Sequence, residues 1–369
     1  MLRPHKGVIG ILVSESKGPF PFSENNYCRK LCLIGNKQGM HIYVFCPSSI
    51  TQDRSTVQGY CYEKGTWNRR SSPLPDILYD RCFSHDRKDQ QRKQNALSLL
   101  YEKQPFIYLA RGLTGKWSVY QVLKKYPDLT LYLPETHKYT GADQLSEWLC
   151  THNGQVFMKP QNGTHGKRTM HIKVSSPQEG LRLIGRDNSN NIFKRKFPSV
   201  QEGFEWIHKF IGNRPFLLQT YLNLNSTQGE PFDIRVLMQK NSKGIWEITG
   251  RAARVGQKHS LTSNLHGGGS ARKALPFLCR EFGENGGRNA ITVIDHLSRD
   301  IPLYLESHFG RLAELGIDFG VDRQGKVWIL EVNSKPGRSS FFRIGDYKSA
   351  RKSIENPIDY ARYLLLSKP

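Results

Sequence analysis

Two apolar runs, 316–321 and 326–332, flank Asp322-Arg323-Gln324-Gly325, a polar turn that ends in glycine. The pattern predicts a β-hairpin. If Val321 stands opposite Lys326, Asp318 stands opposite Ile329 and Glu331 is its diagonal neighbour. Asn333 then lies two residues further along the same face. A lone carboxylate on a strand is usually a solvated edge residue. Three oxygen-bearing side chains on one face, set among apolar neighbours and followed by Pro336-Gly337, predict ligands for a hard cation such as Mg²⁺. Such a cation usually shares its protein ligands with nucleotide phosphates.

The remaining composition is compatible with that expectation. With 369 residues and 37% hydrophobic content, the chain is expected to form two or three units around substantial cores. Its 54 Lys+Arg against 32 Asp+Glu give +22, which favours anionic partners. The charge is scattered, and its densest clusters, Lys194-Arg195-Lys196, Arg69-Arg70 and residues 86–93, read singly as solvated faces. No nucleic-acid recognition motif accompanies them, so no specific nucleic-acid partner is expected. The 7 cysteines are odd in number and include no Cys-x-x-Cys pair, and Cys28 and Cys32 sit one helical turn apart. That argues against zinc or a disulfide framework and for a cytoplasmic location. No apolar run is long enough for a signal-peptide core or a membrane span.

Along the chain, 7–13 and 41–45 read as strands around a helix at 25–37, a small α/β unit with parallel strands. Residues 69–75 read as a loop before a strand at 76–80. Helices are expected at 117–125, 141–150, 292–315 and 356–366. Strands are expected at 156–160, 233–238 and 246–251, with an apolar segment at 216–224 centred on Gln219.

The order of these pieces resembles the ATP-grasp superfamily of carboxylate–amine ligases, over about residues 116–337. The residues that carry the likeness are Asp318 with Glu331, the ending Glu331-Val332-Asn333 before Pro336-Gly337, the segment Asp233-Ile234-Arg235, Arg251 through Arg254, and the run from Asn264 to Gly269. The chain-wide pattern, including Gly115-Lys116-Trp117 and Leu133-Pro134-Glu135-Thr136, looks most like the YheC/YheD-type endospore-coat-associated members. The resemblance implies an α/β (α+β) chain: an ATP-grasp fold preceded by a small α/β pre-ATP-grasp domain. The units would be 1–110, 111–222 for the first ATP-grasp half, and 223–369 for the second half with its metal-binding hairpin.

The resemblance also implies roles. Lys116 and Lys159 would hold ATP phosphates, and the loop bearing Gly163 and Gly166 would close over them. That loop is not a Walker A motif, since Arg168 follows Lys167. Gln219, Tyr221 and Leu222 would form the hinge where adenine meets the backbone. Arg235, Arg251 and Arg254, with Asn264, would meet the charge that develops on the γ-phosphate. Asp318, Glu331 and Asn333 would bind Mg²⁺. Two departures stand out. Many relatives carry Glu at the position of Gln219, and D-alanine-ligase-like relatives carry Arg where this chain has Gly316. A D-alanine specificity is therefore not expected, and the transition-state charge would fall to Arg251 or Arg254.

The expected function is ATP-dependent amide formation between a carboxylate and an amine, with ATP and Mg²⁺ as cofactors, in spore-coat-related biosynthesis. Its substrates are expected to be anionic. A competing expectation is a non-catalytic component of the endospore coat built on the same scaffold. Catalytic release of ADP with a carboxylate and an amine separates the two.

Overall fold

The computed structural model describes residues 7–50, 55–84, 86–163, 166–174, 180–258, 260–261, 263 and 268–367. Three sheets organise them. The first contains β1 (Val8–Leu12), β2 (His41–Phe45), β3 (Thr56–Glu63), β4 (Thr66–Pro73), β5 (Ile77–Asp80) and β6 (Ile107–Ala110), in the order β4-β3-β2-β1-β5-β6. β1, β2, β5 and β6 are parallel, as the expected strand–helix–strand unit requires. The helices α1 (Asn25–Lys37) and α2 (Arg87–Lys103) cover its two faces. Cys28 and Cys32 are buried on α1, one turn apart, as free thiols. Residues 69–73, expected as loop, belong to β4, paired with β3 in an antiparallel ribbon. The polar run Asn68-Arg69-Arg70-Ser71 carries no burial pattern because much of β4 faces solvent.

The helices α3 (Lys116–Leu123) and α4 (Pro127–Thr130) lead to the second sheet, which α5 (Ala142–Thr151) and α6 (Val200–Ile211) cover. Ser199 caps α6 by accepting from Glu202 N–H at 3.2 Å. The strands are β7 (Thr136–Lys138), β8 (Gln155–Pro160), β9 (Met170–Val174), β10 (Leu181–Arg186), β11 (Ile192–Phe197) and β12 (Phe216–Gln219), in the order β11-β10-β9-β8-β12-β7. Lys194, Arg195 and Lys196 lie on β11, an edge strand, where charge discourages pairing with another chain.

The third sheet comprises β13 (Phe232–Lys240), β14 (Trp246–Val255), β15 (Ser270–Arg272), β16 (Glu314–Val321) and β17 (Val327–Asn333), in the order β15-β14-β13-β16-β17. One face packs on α7 (Ala274–Phe309), burying Ile234, Val236, Met238, Ile317, Phe319 and Val321 against Leu278, Ile294, Leu297 and Ile301. α7 breaks at Gly283, whose φ of 75° suits glycine. The expected helix through residue 315 instead stops at Phe309, where Gly310 (φ 77°) donates to Glu306 C=O at 3.0 Å. Residues 314–315 begin β16. The closing helix is longer than expected: α8 (Ser339–Arg343) precedes α9 (Tyr347–Leu366). Ile358, Tyr360 and Ala361 of α9 return to the first sheet's core beside Ile9 and Leu31. Among the described residues no helix is long and apolar enough to cross a membrane.

The hairpin is present in a different register from the expected one. Val321 pairs with Val327, and a bulge between Asp318 and Phe319 sets Phe319 opposite Ile329 and Asp318 opposite Glu331. Paired residues share a face, and Ile329, 3% exposed, belongs to the core with Phe319. Without the bulge, Asp318 would pair with Leu330, and Glu331 would fall on the core face with Ile329. With it, Asp318, Glu331 and Asn333 stay together on the polar face.

Candidate active site

The face of the third sheet opposite α7 collects the charge. On β13, Asp233 and Arg235 alternate with the core residues Ile234 and Val236, and on β14 Arg254 stands opposite Asp233. On β16, Asp318 stands opposite Arg235. Arg254 donates to both Asp233 oxygens at 2.6 and 2.7 Å, and its Nη2 lies 3.0 Å from Asp318. Arg235 donates to both Asp318 oxygens, one at 2.9 Å and the other through Nε. Burial opposes ionisation of Asp318, but Arg235 and Arg254 hold its carboxyl below the usual range. Asp233, also bonded by Ser263 Oγ, is pushed up by burial and by the charge of Asp318 against the pull of Arg254. This alternating pattern of anions and guanidiniums is a rigid, pre-oriented array.

Arg251 is the correction. It stands three residues from Arg254 on one strand, and therefore on the opposite face. There it makes two bonds of 2.5 Å with Asp295 of α7, away from Asp318. Gly316 explains how the site does without an arginine at that position. A Cβ there would come within 3.2 Å of Arg235 Nη1, so the guanidinium from β13 already covers the place. Asn264 lies outside the described residues.

Facing this array across a crevice is the end of the second sheet. Lys159, on β8, donates to Gln219 Oε1 at 3.0 Å, and Gln219 donates to Thr136 Oγ1 at 2.8 Å. Burial, reinforced by Lys116 and opposed by Glu331, pushes the Lys159 ammonium down to about 8. Lys116, at the start of α3, donates to Gly163 C=O at 2.5 Å and lies 3.4 Å from Glu331. Gly166, at φ 68°, offers its carbonyl to Thr169 Oγ1 at 2.8 Å. Val119, Tyr120, Leu133, Leu217 and Ile329 supply apolar walls. The crevice leaves about 30 Å³, room for no more than a few waters and about a tenth of a small-molecule site, so a purine requires its walls to part. Lys116, Lys159, Gln219 and Glu331 thus come together. Tyr221 and Leu222 do not line the crevice, and Tyr221 stacks on His171 of β9, ring centroids 3.6 Å apart.

Among the described residues no three His, Cys, Asp or Glu side chains form a metal cluster. Asp318, Glu331 and the Asn333 amide are two carboxylates and one neutral oxygen, a donor set that suits Mg²⁺ shared with phosphates. A carboxylate has about four lone-pair sites, and the arginines use three at Asp318, leaving one. Glu331 has only Lys116 as an ion-pair partner among the described residues.

The sequence reading missed three participants. Asp233 and Thr136 lay inside quoted motifs without a role. Glu314 sits four residues before Asp318 on the same face and takes Arg81 at 2.8 Å, Tyr79 at 2.5 Å and Arg338. It was hidden because the helix was extended over it.

The sequence model described as "YheC/D like ATP-grasp" matches residues 106–364. The endospore coat-associated protein YheC of Bacillus subtilis (strain 168) is 30% identical over 327 residues, 87% of each chain. YheD of the same organism is 28% identical over 375 residues, covering 99% of this chain and 81% of its own. Among solved structures, the D-cycloserine synthetase DcsG superposes with a TM-score of 0.54 at 10% identity, over 95% of this chain and 99% of its own. N5-carboxyaminoimidazole synthetase from Staphylococcus aureus gives 0.51 at 11% identity, over 96% and 78%. At those identities the likeness concerns the fold, and with the family match and the two Bacillus relatives it leads to one statement: the chain belongs to the YheC/D-like ATP-grasp family.

Proposed function

We propose that the chain is an ATP-dependent carboxylate–amine ligase. The observation that carries this reading is the charged face of the third sheet. Asp233, Arg235, Arg254 and Asp318 form one array, and Glu331 beside it faces Lys116 across the crevice. Lys116 and Lys159 would take the phosphates and Gln219 the adenine end, once the second sheet swings away from the hairpin. Mg²⁺ held by Asp318, Glu331 and Asn333 would neutralise phosphate charge.

A substrate carboxylate oxygen attacks the γ-phosphorus, the bond to ADP breaks, and an acyl phosphate forms. An amine then attacks the acyl carbon, phosphate leaves, and the amine's proton is released to give the amide. Arg235 and Arg254 are fixed by Asp318 and Asp233 before reaction, so they meet developing charge without reorganising. Positioning does the remaining work, and no protein nucleophile is required. The two Bacillus relatives are named as endospore coat-associated, which supports a place for the product or the protein at that coat.

Thermal stability with ATP, ADP and GTP, each with and without Mg²⁺, tests the reading. A ligand at a hundredfold excess over its Kd adds about 2.7 kcal/mol. A Mg²⁺-dependent shift with ATP that Glu331→Ala abolishes, followed by ADP release with a carboxylate and an amine, is the expected result. No shift with any nucleotide would leave a non-catalytic coat component on an ATP-grasp scaffold.

A further inference from the structure

A second cavity of about 330 Å³ lies between α2 and the chain that follows the hairpin, lined by Phe83, Gln90, Lys93, Asn333, Ser334 and Lys335 among others. That volume falls within the range of small-molecule sites, about 300–1,000 Å³. Its wall has an uneven charge count. Asp80, 8% exposed at the end of β5, takes Lys93 Nζ on Oδ2 at 2.5 Å and Lys335 Nζ on Oδ1 at 3.1 Å. Both ammoniums also donate to Cys82 C=O, at 3.3 and 2.5 Å. Two cations therefore share one carboxylate, and one positive charge is left in excess on side chains only 16% and 15% exposed.

A structural carboxylate needs one such partner. A second mostly buried ammonium is a cost unless something anionic meets it. An ammonium carries three N–H groups, and each lysine uses two. For the third N–H of each, no acceptor is found among the described residues. The Phe83 ring, 5.5 Å from Lys335 Nζ, adds an apolar wall.

The cavity also has a fixed relation to the charged face. Lys335 follows Asn333 by two residues, at most about 7 Å of extended backbone. Leu113 N–H donates to Ser334 Oγ between them at 3.0 Å, which pins that turn.

We propose that this cavity binds a small dicarboxylate. One carboxylate is anchored by the remaining N–H group of each of Lys93 and Lys335, and the other lies toward Asn333. This assignment rests on the ligase reading for its place in the reaction, but binding is measurable without turnover.

The test is calorimetry on the full chain with Mg²⁺ and ADP present, using succinate and L-glutamate as probes and succinamide as the uncharged isostere of succinate. The variants are Lys335→Met and Lys93→Met. Each leaves Asp80 with one ammonium, so neither should lower the melting temperature, whereas a purely structural lysine would. The expected result is saturable binding of at least one dicarboxylate, at least tenfold weaker in each variant and undetectable for succinamide. Equal binding by wild type and variants would overturn the proposal. So would no dicarboxylate binding in a protein that Mg²⁺ and ADP still stabilise. Dicarboxylate binding without any nucleotide effect would sustain the cavity assignment and sink the ligase reading.

Discussion

Glu331→Gln and Asp318→Asn each remove one charge from the same face of one hairpin, yet they should break different things. The Glu331 side chain is 30% exposed, and its ion pair with Lys116 is 3.4 Å long. Partly exposed pairs of this kind contribute about 0–1 kcal/mol, so E331Q should change stability by no more than about 1 kcal/mol. Asp318 is 7% exposed and takes three N–H groups from Arg235 and Arg254. Removing one partner of a buried pair costs about 3–5 kcal/mol. Arg254 retains Asp233, so the loss falls mainly on Arg235, and D318N should cost near the lower end, about 3 kcal/mol. Turnover should fall in both. A metal ion supplies several kcal/mol of transition-state stabilisation, and each 1.36 kcal/mol is tenfold. Losing about 3 kcal/mol of it slows the reaction more than a hundredfold. Urea unfolding measures the first effect and nucleotide-dependent ADP release the second. E331Q with turnover within about threefold of wild type would refute the metal assignment. E331Q as unstable as D318N would refute the division of labour between the two carboxylates.

Lys159 supplies a pH dependence. Its ammonium is pushed down to about 8, against about 10.4 for an unfolded lysine. Between those values the unfolded chain binds more protons, so this group destabilises the fold fully below about 8 and the cost is relieved as pH rises toward about 10.4. Phosphate needs the cation, so affinity for Mg²⁺ and ADP should fall as pH rises through about 8, and Lys159→Arg should flatten that curve by calorimetry. An equal pH dependence in both proteins would exclude Lys159 as a phosphate contact. Arg251→Met should leave kcat within a few-fold while Arg254→Met loses more than about a hundredfold, because Arg254 touches Asp318 and Arg251 pairs with Asp295 instead. Steady-state kinetics that ranked Arg251 with Arg254 would restore the role the sequence suggested. Glu314→Gln should cost about 3–5 kcal/mol in urea, since it uncouples buried Arg81 and Arg338. A cost under about 1 kcal/mol would show that this network is not a stabilising contact.

Much of the fold was legible because its elements are strongly patterned. The parallel strands of the first sheet are continuous apolar runs, and the hairpin has an unmistakable turn. The register was lost to a turn one residue longer than expected and to a bulge, and for the bulge the sequence held a clue. Val327 and Ile329 point inward, and simple alternation would carry Glu331 inward with them, whereas Val332 is the next core residue. Only an extra residue, Leu330, keeps the carboxylate out. Arg251 was misplaced for a related reason: a three-residue spacing on a strand separates faces, and β14 was long enough to apply that rule. Gly310 marked the true end of α7 and would have exposed Glu314. β11 carried no such signal, because its middle, Lys194-Arg195-Lys196, is charged and exposed and only Phe193 and Phe197 pack inward. Lys116 and Lys159 could be joined only by resemblance, since no local pattern brings together residues from α3 and β8.

Glu314 and Asp318 lie on one strand, four residues apart on one face, and they tie the site to different neighbours. Glu314, 1% exposed, meets Arg81 and Tyr79 from the first sheet and Arg338 before α8. Arg81 also grips Glu24 at 2.7 and 2.9 Å, and α9 packs its apolar residues on the same unit. The first and third sheets are therefore joined by buried charge and by a shared core, and separating them would strand ions in a low dielectric. Among the described residues the second sheet's side meets the third sheet's side through polar contacts: Gly163 C=O accepts from Lys116 of α3, which also pairs with Glu331, and Arg186 of β10 donates to Ser260 Oγ at 3.1 Å. If a purine enters the crevice, the second sheet is the part that yields. Lys116 is then the contact exchanged, giving up a carbonyl oxygen for a phosphate oxygen of greater charge. The rigid pairing of the other two sheets keeps the cavity at Lys93 and Lys335 in register with Asn333 while that happens.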